Sequence, residues 1–100
     1  MKIQDLLPIG TVVQLHGGEH CLMITGVIQT TVDGMTYDYC AVPYPEGNTG
    51  SKEVRVFNHD AVSKVLFRGW EDARRKAFLS QLEAFYADSA EARRELEQEL

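Results

Sequence analysis

The spacing of the apolar residues changes once along this chain of 100 residues, at Gly69, and that change sets the layout. Before it, short runs of β-branched and aromatic residues alternate with turn residues. After it, apolar residues recur at intervals of three and four. Alternation belongs to a strand, whose side chains point to opposite faces in turn, and the longer interval belongs to a helix. The sequence therefore predicts a sheet followed by a helix. A chain of this length can bury one core and is too short for two domains.

Residues 11–16, 20–29, 35–42, 53–57 and 62–68 read as five strands. Leu7-Pro8-Ile9-Gly10 is a turn leading into the first. Gly17-Gly18 and Asp33-Gly34 are tight-hairpin signals. The second run is apolar on both faces, with Leu22, Ile24 and Ile28 on one and Cys21, Met23 and Val27 on the other. Such a strand is central or bent, and Gly26 marks the bend or a bulge. In the third, Tyr37, Tyr39 and Ala41 alternate with Asp38, Cys40 and Val42. Pro43, Pro45, Gly47 and Gly50 make residues 43–51 a loop. Asn58 can cap a single turn through His59-Asp60-Ala61 ahead of the fifth strand.

Residues 70–86 read as an amphipathic helix whose stripe of Ala77, Phe78, Leu82 and Phe85 is expected to pack on the sheet. Asp88 and Glu91 have capping-box spacing, so a second helix can begin there. Residues 88–100 are acidic, and Ala90, Ala92, Leu96 and Leu100 are their few apolar positions. A helix so short and so poor in burial is either frayed or ordered by a partner. The expected fold class is α+β: a small bent antiparallel sheet of about five strands followed by one or two C-terminal helices. Loop lengths and the late turn favour an SH3-like partial barrel; a plain antiparallel sheet with a helix across one face is the alternative. Residues 1–87 form a single domain, with strands over 11–68 and the helix over 70–86, and 88–100 an acidic helical tail.

Fifteen acidic residues against ten basic ones give a net charge of −5, which disfavours nonspecific nucleic-acid binding. Basic residues cluster at Arg74, Arg75 and Lys76, directly behind Glu71 and Asp72, the pattern of a solvated helix face. No apolar run approaches the ~18 residues of a membrane span. The N-terminus, Met1-Lys2-Ile3-Gln4-Asp5, has no signal-like apolar stretch, so a cytoplasmic protein is expected. If Val32 faces Met35 across the second hairpin, Cys40 faces a residue near Val27, roughly 20 Å from Cys21. A disulfide needs Cα atoms within about 7 Å, so two reduced thiols are expected, as in a cytoplasm.

No catalytic, cofactor or metal site is expected. His16, His20 and Cys21 are close in sequence, but they lack the four ligands and paired spacings of a structural zinc site. Cys40 falls within a strand rather than at the exposed helix N-terminus that activates a thiol. Asp38 is a lone carboxylate without a paired acid or base. The glycines form no phosphate loop. Of the aromatics Tyr37, Tyr39, Tyr44, Phe57, Phe67 and Trp70, about half are needed for the core of so small a domain, which leaves roughly three exposed rings. Exposed aromatics near a proline-rich loop favour a protein-binding surface. The candidate contact residues are Tyr44, Pro45, Glu46 and Asn48 in the loop and Leu96 and Leu100 in the tail. The expected partner is another protein, with no nucleic acid and no membrane.

Three blocks of sequence carry a family resemblance. The first is Leu7-Pro8-Ile9-Gly10-Thr11-Val12-Val13 with Gly17-Gly18 and Leu22-Met23-Ile24. The second and most distinctive is Tyr37-Asp38-Tyr39 followed by Val42-Pro43-Tyr44-Pro45-Glu46-Gly47. The third is Phe57-Asn58-His59-Asp60, Val65-Leu66-Phe67 and Gly69-Trp70-Glu71-Asp72. Over about residues 6–86 the chain resembles the DUF4176 family, a domain of unknown function. The resemblance implies a short cytosolic protein of Gram-positive bacteria, from loci of type VII secretion and LXG-type toxins. It implies an accessory role, as a chaperone, adaptor or targeting factor for a secreted effector or as holder of a small helical secretion partner. An immunity protein that neutralises a cognate toxin is the alternative. No catalytic residues carry over, and oligomeric state does not follow.

Overall fold

The computed structural model describes residues 2–50 and 53–88. Its strands are β1 (Val12–Leu15), β2 (Cys21–Thr30), β3 (Thr36–Tyr44), β4 (Arg55–Phe57) and β5 (Val62–Phe67), and one helix, α1 (Ala73–Asp88), follows. A 3₁₀ turn at Ile3–Asp5 precedes the sheet and another at His59–Ala61 precedes β5. All pairings are antiparallel, in the order β4-β3-β2-β1-β5. That is the order of an SH3-like layout, with the turn before the last strand in its place. The sheet remains open, because β4 and β5 are its two edges. The α+β class holds.

Strand β2 bends as its composition requires. Ile24 faces Ala41 and Gly26 faces Cys40, so Thr25 is the extra residue of a bulge. A Cβ on Gly26 would lie 2.8 Å from Cys40 Sγ and 2.9 Å from Gln29 Nε2, so either side chain would have to shift to admit one. Ile28 has a positive φ of 51°, rare for a β-branched residue, and adds to the distortion. The hairpin register is one residue off the expected one: Thr30 faces Thr36 and Thr31 N–H bonds Met35 O, enclosing a longer turn. Cys21 faces Tyr44 while Cys40 faces Gly26, and both thiols are free, as expected. Pro43 and Tyr44 belong to β3 rather than to the loop. Since β4 pairs only with 39–41, nothing on that side needs a donor from Pro43.

The core joins Val13, Leu22, Ile24, Tyr39, Ala41 and Phe57 of the sheet to Ile3, Leu6 and Leu7 of the N-terminal segment and Leu79 of α1. Each such aliphatic side chain, fully buried, stabilises by about 1.5–3 kcal/mol. The N-terminal segment is thus core, a role its sequence did not announce.

Helix α1 departs from expectation in three ways. It starts at Ala73, because Asp72 caps it: Asp72 Oδ1 accepts the Arg75 N–H at 2.9 Å. It continues through Asp88, two residues past the expected end at Tyr86, and the tail expected after it lies outside the described residues. Its closest neighbour is the Ile3–Asp5 turn rather than the sheet. The buried line therefore runs through Arg75, Leu79 and Leu82, while Ala77, Phe78 and Phe85 are exposed. Among the described residues no helix is long and apolar enough to cross a membrane.

Candidate functional site

The expected loop residues are exposed. Tyr44 closes β3 at 54 % exposure, followed by Pro45, Glu46 and Asn48, all exposed. Tyr44 is therefore not a lid over the core. The loop holds itself together: Gly47 N–H bonds Pro43 O at 2.7 Å and Asn48 Oδ1 accepts Gly50 N–H at 3.2 Å. Leu96 and Leu100 lie outside the described residues.

A more developed apolar surface lies at the sheet-to-helix junction. A groove of about 360 Å³ has Leu6, Leu7, Val27 and Leu79 among its walls and Ile9, Trp70 and Phe78 at its rim. Trp70 is 79 % exposed, Ile9 56 % and Phe78 44 %. Local chemistry fixes this arrangement. Thr11, fully buried, accepts the Gly69 N–H on Oγ1 at 3.0 Å. A Cβ on Gly69 would lie 2.3 Å from Ile9 O, so the chain crosses itself here only because residue 69 is glycine. That crossing sets Trp70 beside Ile9. Trp70 Nε1–H then bonds Asp72 Oδ2 at 3.2 Å, so the indole is held at its polar end while its rings stay open to solvent.

Charged groups frame the groove. Arg75 donates from Nη2 to Leu6 O at 2.6 Å and from Nη1 to Glu71 Oε1 at 3.3 Å, tying α1 to the N-terminal segment. Glu71 also receives Arg68, at 2.9 Å, and that guanidinium holds the Glu71 carboxyl below its usual range. The bonds Asp72 accepts from Arg75 N–H and Trp70 lower its carboxyl as well. The cluster read as a solvated face is thus divided: Arg74 and Lys76 are exposed, while Arg75 is half-buried and bonded.

The polar residues weighed for catalysis form a structural knot. Asp38 is fully buried; its Oδ2 accepts His59 N–H at 2.7 Å, and its own N–H bonds Asn58 Oδ1 at 3.1 Å. Asp38, not Asn58, therefore caps the turn, and Asn58 braces β3 instead. Burial raises the Asp38 carboxyl above its ordinary value, with the His59 N–H opposing. Its Oδ1 has no partner among the described residues. Tyr39 Oη accepts Leu7 N–H at 2.9 Å and lies 2.6 Å from His59 Nδ1, and burial pushes its phenol up to about 12. Which of Oη and Nδ1 donates in that bond is set by the His59 tautomer. Cys40 Sγ neighbours Thr25 Oγ1 at 3.5 Å. Among the described residues no group of His, Cys, Asp and Glu is placed to hold a metal.

The DUF4176 model, "Domain of unknown function", matches residues 6–78. The chain belongs to this family. The matched span takes in the whole sheet, the Gly69 crossing and the first turns of α1, so the Trp70 groove lies almost entirely within the family domain. No curated protein and no solved structure matches the chain.

Sequence reasoning counted the exposed rings correctly. Tyr39 and Phe57 are buried, Tyr37 is half-buried, and Tyr44, Phe67 and Trp70 are exposed. It did not place Phe78 at a rim, nor Ile9 beside Trp70. The available signal was Gly10 and Gly69, two glycines far apart in sequence that mark one backbone crossing.

Proposed function

We propose that this DUF4176 domain is a non-enzymatic protein-binding module that docks a partner on the Trp70 groove. The carrying observation is the 79 % exposure of Trp70 beside a concave apolar floor. Tryptophan is among the most enriched residues at the energetic centres of interfaces, and one left open at a groove rim gives a partner large apolar area at small entropic cost. Of the polar residues best suited to chemistry, Asp38 and Tyr39 are buried, and with half-buried His59 they form a bonded knot that holds structure. With the resemblance, this reading makes the chain an accessory factor, a chaperone or adaptor for an exported effector of type VII secretion, acting in the cytoplasm. The Tyr44 loop is a secondary contact.

The test is affinity capture from the native host with three full-length baits: wild type, Trp70→Ala and Tyr44→Ala. The partner held by wild type is lost with Trp70→Ala and retained, more weakly, with Tyr44→Ala. Equal capture by wild type and Trp70→Ala, both folded by circular dichroism, would refute the groove as the docking site.

A further inference from the structure

Trp70 stands 79 % exposed at the groove rim, where an indole would ordinarily turn about its side-chain torsions within nanoseconds. The ring has one polar group, Nε1–H, and Asp72 Oδ2 accepts it at 3.2 Å. No other hydrogen bond is open to an indole as donor.

Asp72 is itself fixed. Its Oδ1 accepts Arg75 N–H at 2.9 Å and its backbone oxygen accepts Lys76 N–H at 3.1 Å, the bonds that begin helix α1. The Arg75 guanidinium in turn donates to Leu6 O at 2.6 Å, on the segment that supplies Leu6 and Leu7 to the groove. The carboxylate is therefore anchored to α1 and, through Arg75, to the N-terminal segment. A helix cap needs a single oxygen, and serine and asparagine supply one about as well as aspartate. Neither could do what Asp72 does. Serine has no second atom, and the second atom of asparagine is an N–H donor, which cannot accept the indole N–H. Aspartate has one oxygen for the helix and one for Trp70.

We propose that Asp72 is the positioning residue of this groove: its second oxygen holds the Trp70 ring in the posture that receives a partner. The inference rests on the reading of the groove as a docking site and adds what keeps that site ready. A side chain held before binding loses less freedom on binding, so the bond contributes to affinity without touching the partner. The helix and the fold need only the other oxygen.

Asp72→Asn and Asp72→Ser separate the two roles, because both keep the cap and both lose the acceptor for Nε1–H. Their thermal midpoints stay close to that of wild type. Trp70 is the one tryptophan, so the time-resolved anisotropy of its emission reads the motion of the ring directly. With no partner present, the amplitude of the sub-nanosecond decay rises by about twofold or more in both variants. When both join the baits for capture from the native host, the protein held by wild type and lost with Trp70→Ala is retained about fivefold less. Both changes persist at about 0.5 M salt, where the lost carboxylate charge is screened. Unchanged anisotropy in both variants overturns the inference. So does a loosened ring with undiminished capture, since posture then has no bearing on binding, and so does an effect that salt abolishes. Equal capture by wild type and Trp70→Ala is a separate result, which refutes the docking site itself and leaves Asp72 nothing to position.

Discussion

At the scale of single residues, Tyr39 carries most of what holds the two halves of the core together. Its ring lies 5.5 Å from Phe57, and its hydroxyl ties the N-terminal segment to the second 3₁₀ turn. Tyr39→Phe leaves Leu7 N–H and His59 Nδ1 without their partner. It is expected to cost about 1–3 kcal/mol in urea denaturation; an unchanged midpoint contradicts the bonding. The phenol also sets an alkaline limit. Its folded value, about 12, lies above the ordinary 10, so the unfolded chain ionises first and stability falls as pH rises through that interval. Asp38 has the same sign in acid. Its folded value is raised by burial, so the charged form is disfavoured in the folded state and stability is lost as pH rises past the ordinary 3.8. Asp38→Asn keeps an acceptor for His59 N–H and cannot ionise. Its stability relative to wild type therefore improves from pH 3 towards neutrality, by denaturation at a series of pH values. A flat difference contradicts the burial assignment.

At the scale of elements, the sheet was legible in the sequence and the docking of the helix was not. Alternation, turn residues and the Gly26 bulge set five strands within a residue or two, because half-buried strands impose a period of two. The hairpin register slipped by one because the Asp33-Gly34 signal implied a shorter turn than the one Thr31 and Met35 close. The helix period was read correctly, but its orientation depends on the Ile3–Asp5 turn, whose core role three residues cannot reveal. Hence Leu79, not Phe78, is the buried anchor. Leu79→Ala is expected to cost about 2–5 kcal/mol, and Phe78→Ala, nearly half exposed, well under that. A larger loss for Phe78→Ala would restore the sheet-facing orientation. Gly69→Ala belongs to the same scale, since its Cβ meets the backbone of the 9–11 segment, which cannot yield. It is expected to destabilise by more than about 3 kcal/mol, a loss that thermal unfolding reads directly.

At the scale of the whole molecule, the candidate site emerges only from the assembled fold. The exposed loop around Tyr44 could be read from its prolines. The Trp70 groove could not, because its floor draws on the N-terminal segment, β2 and α1 together. Partner binding through that groove is the central claim, and the sequence supplies its own probe: Trp70 is the one tryptophan of the chain. In the free protein its emission is that of a solvent-exposed indole, open to quenching by acrylamide. On titration with the captured partner, made without tryptophan, the emission shifts to the blue and quenching falls at least severalfold as the indole leaves water. Saturable binding, shown independently, with emission and quenching both unchanged contradicts the claim.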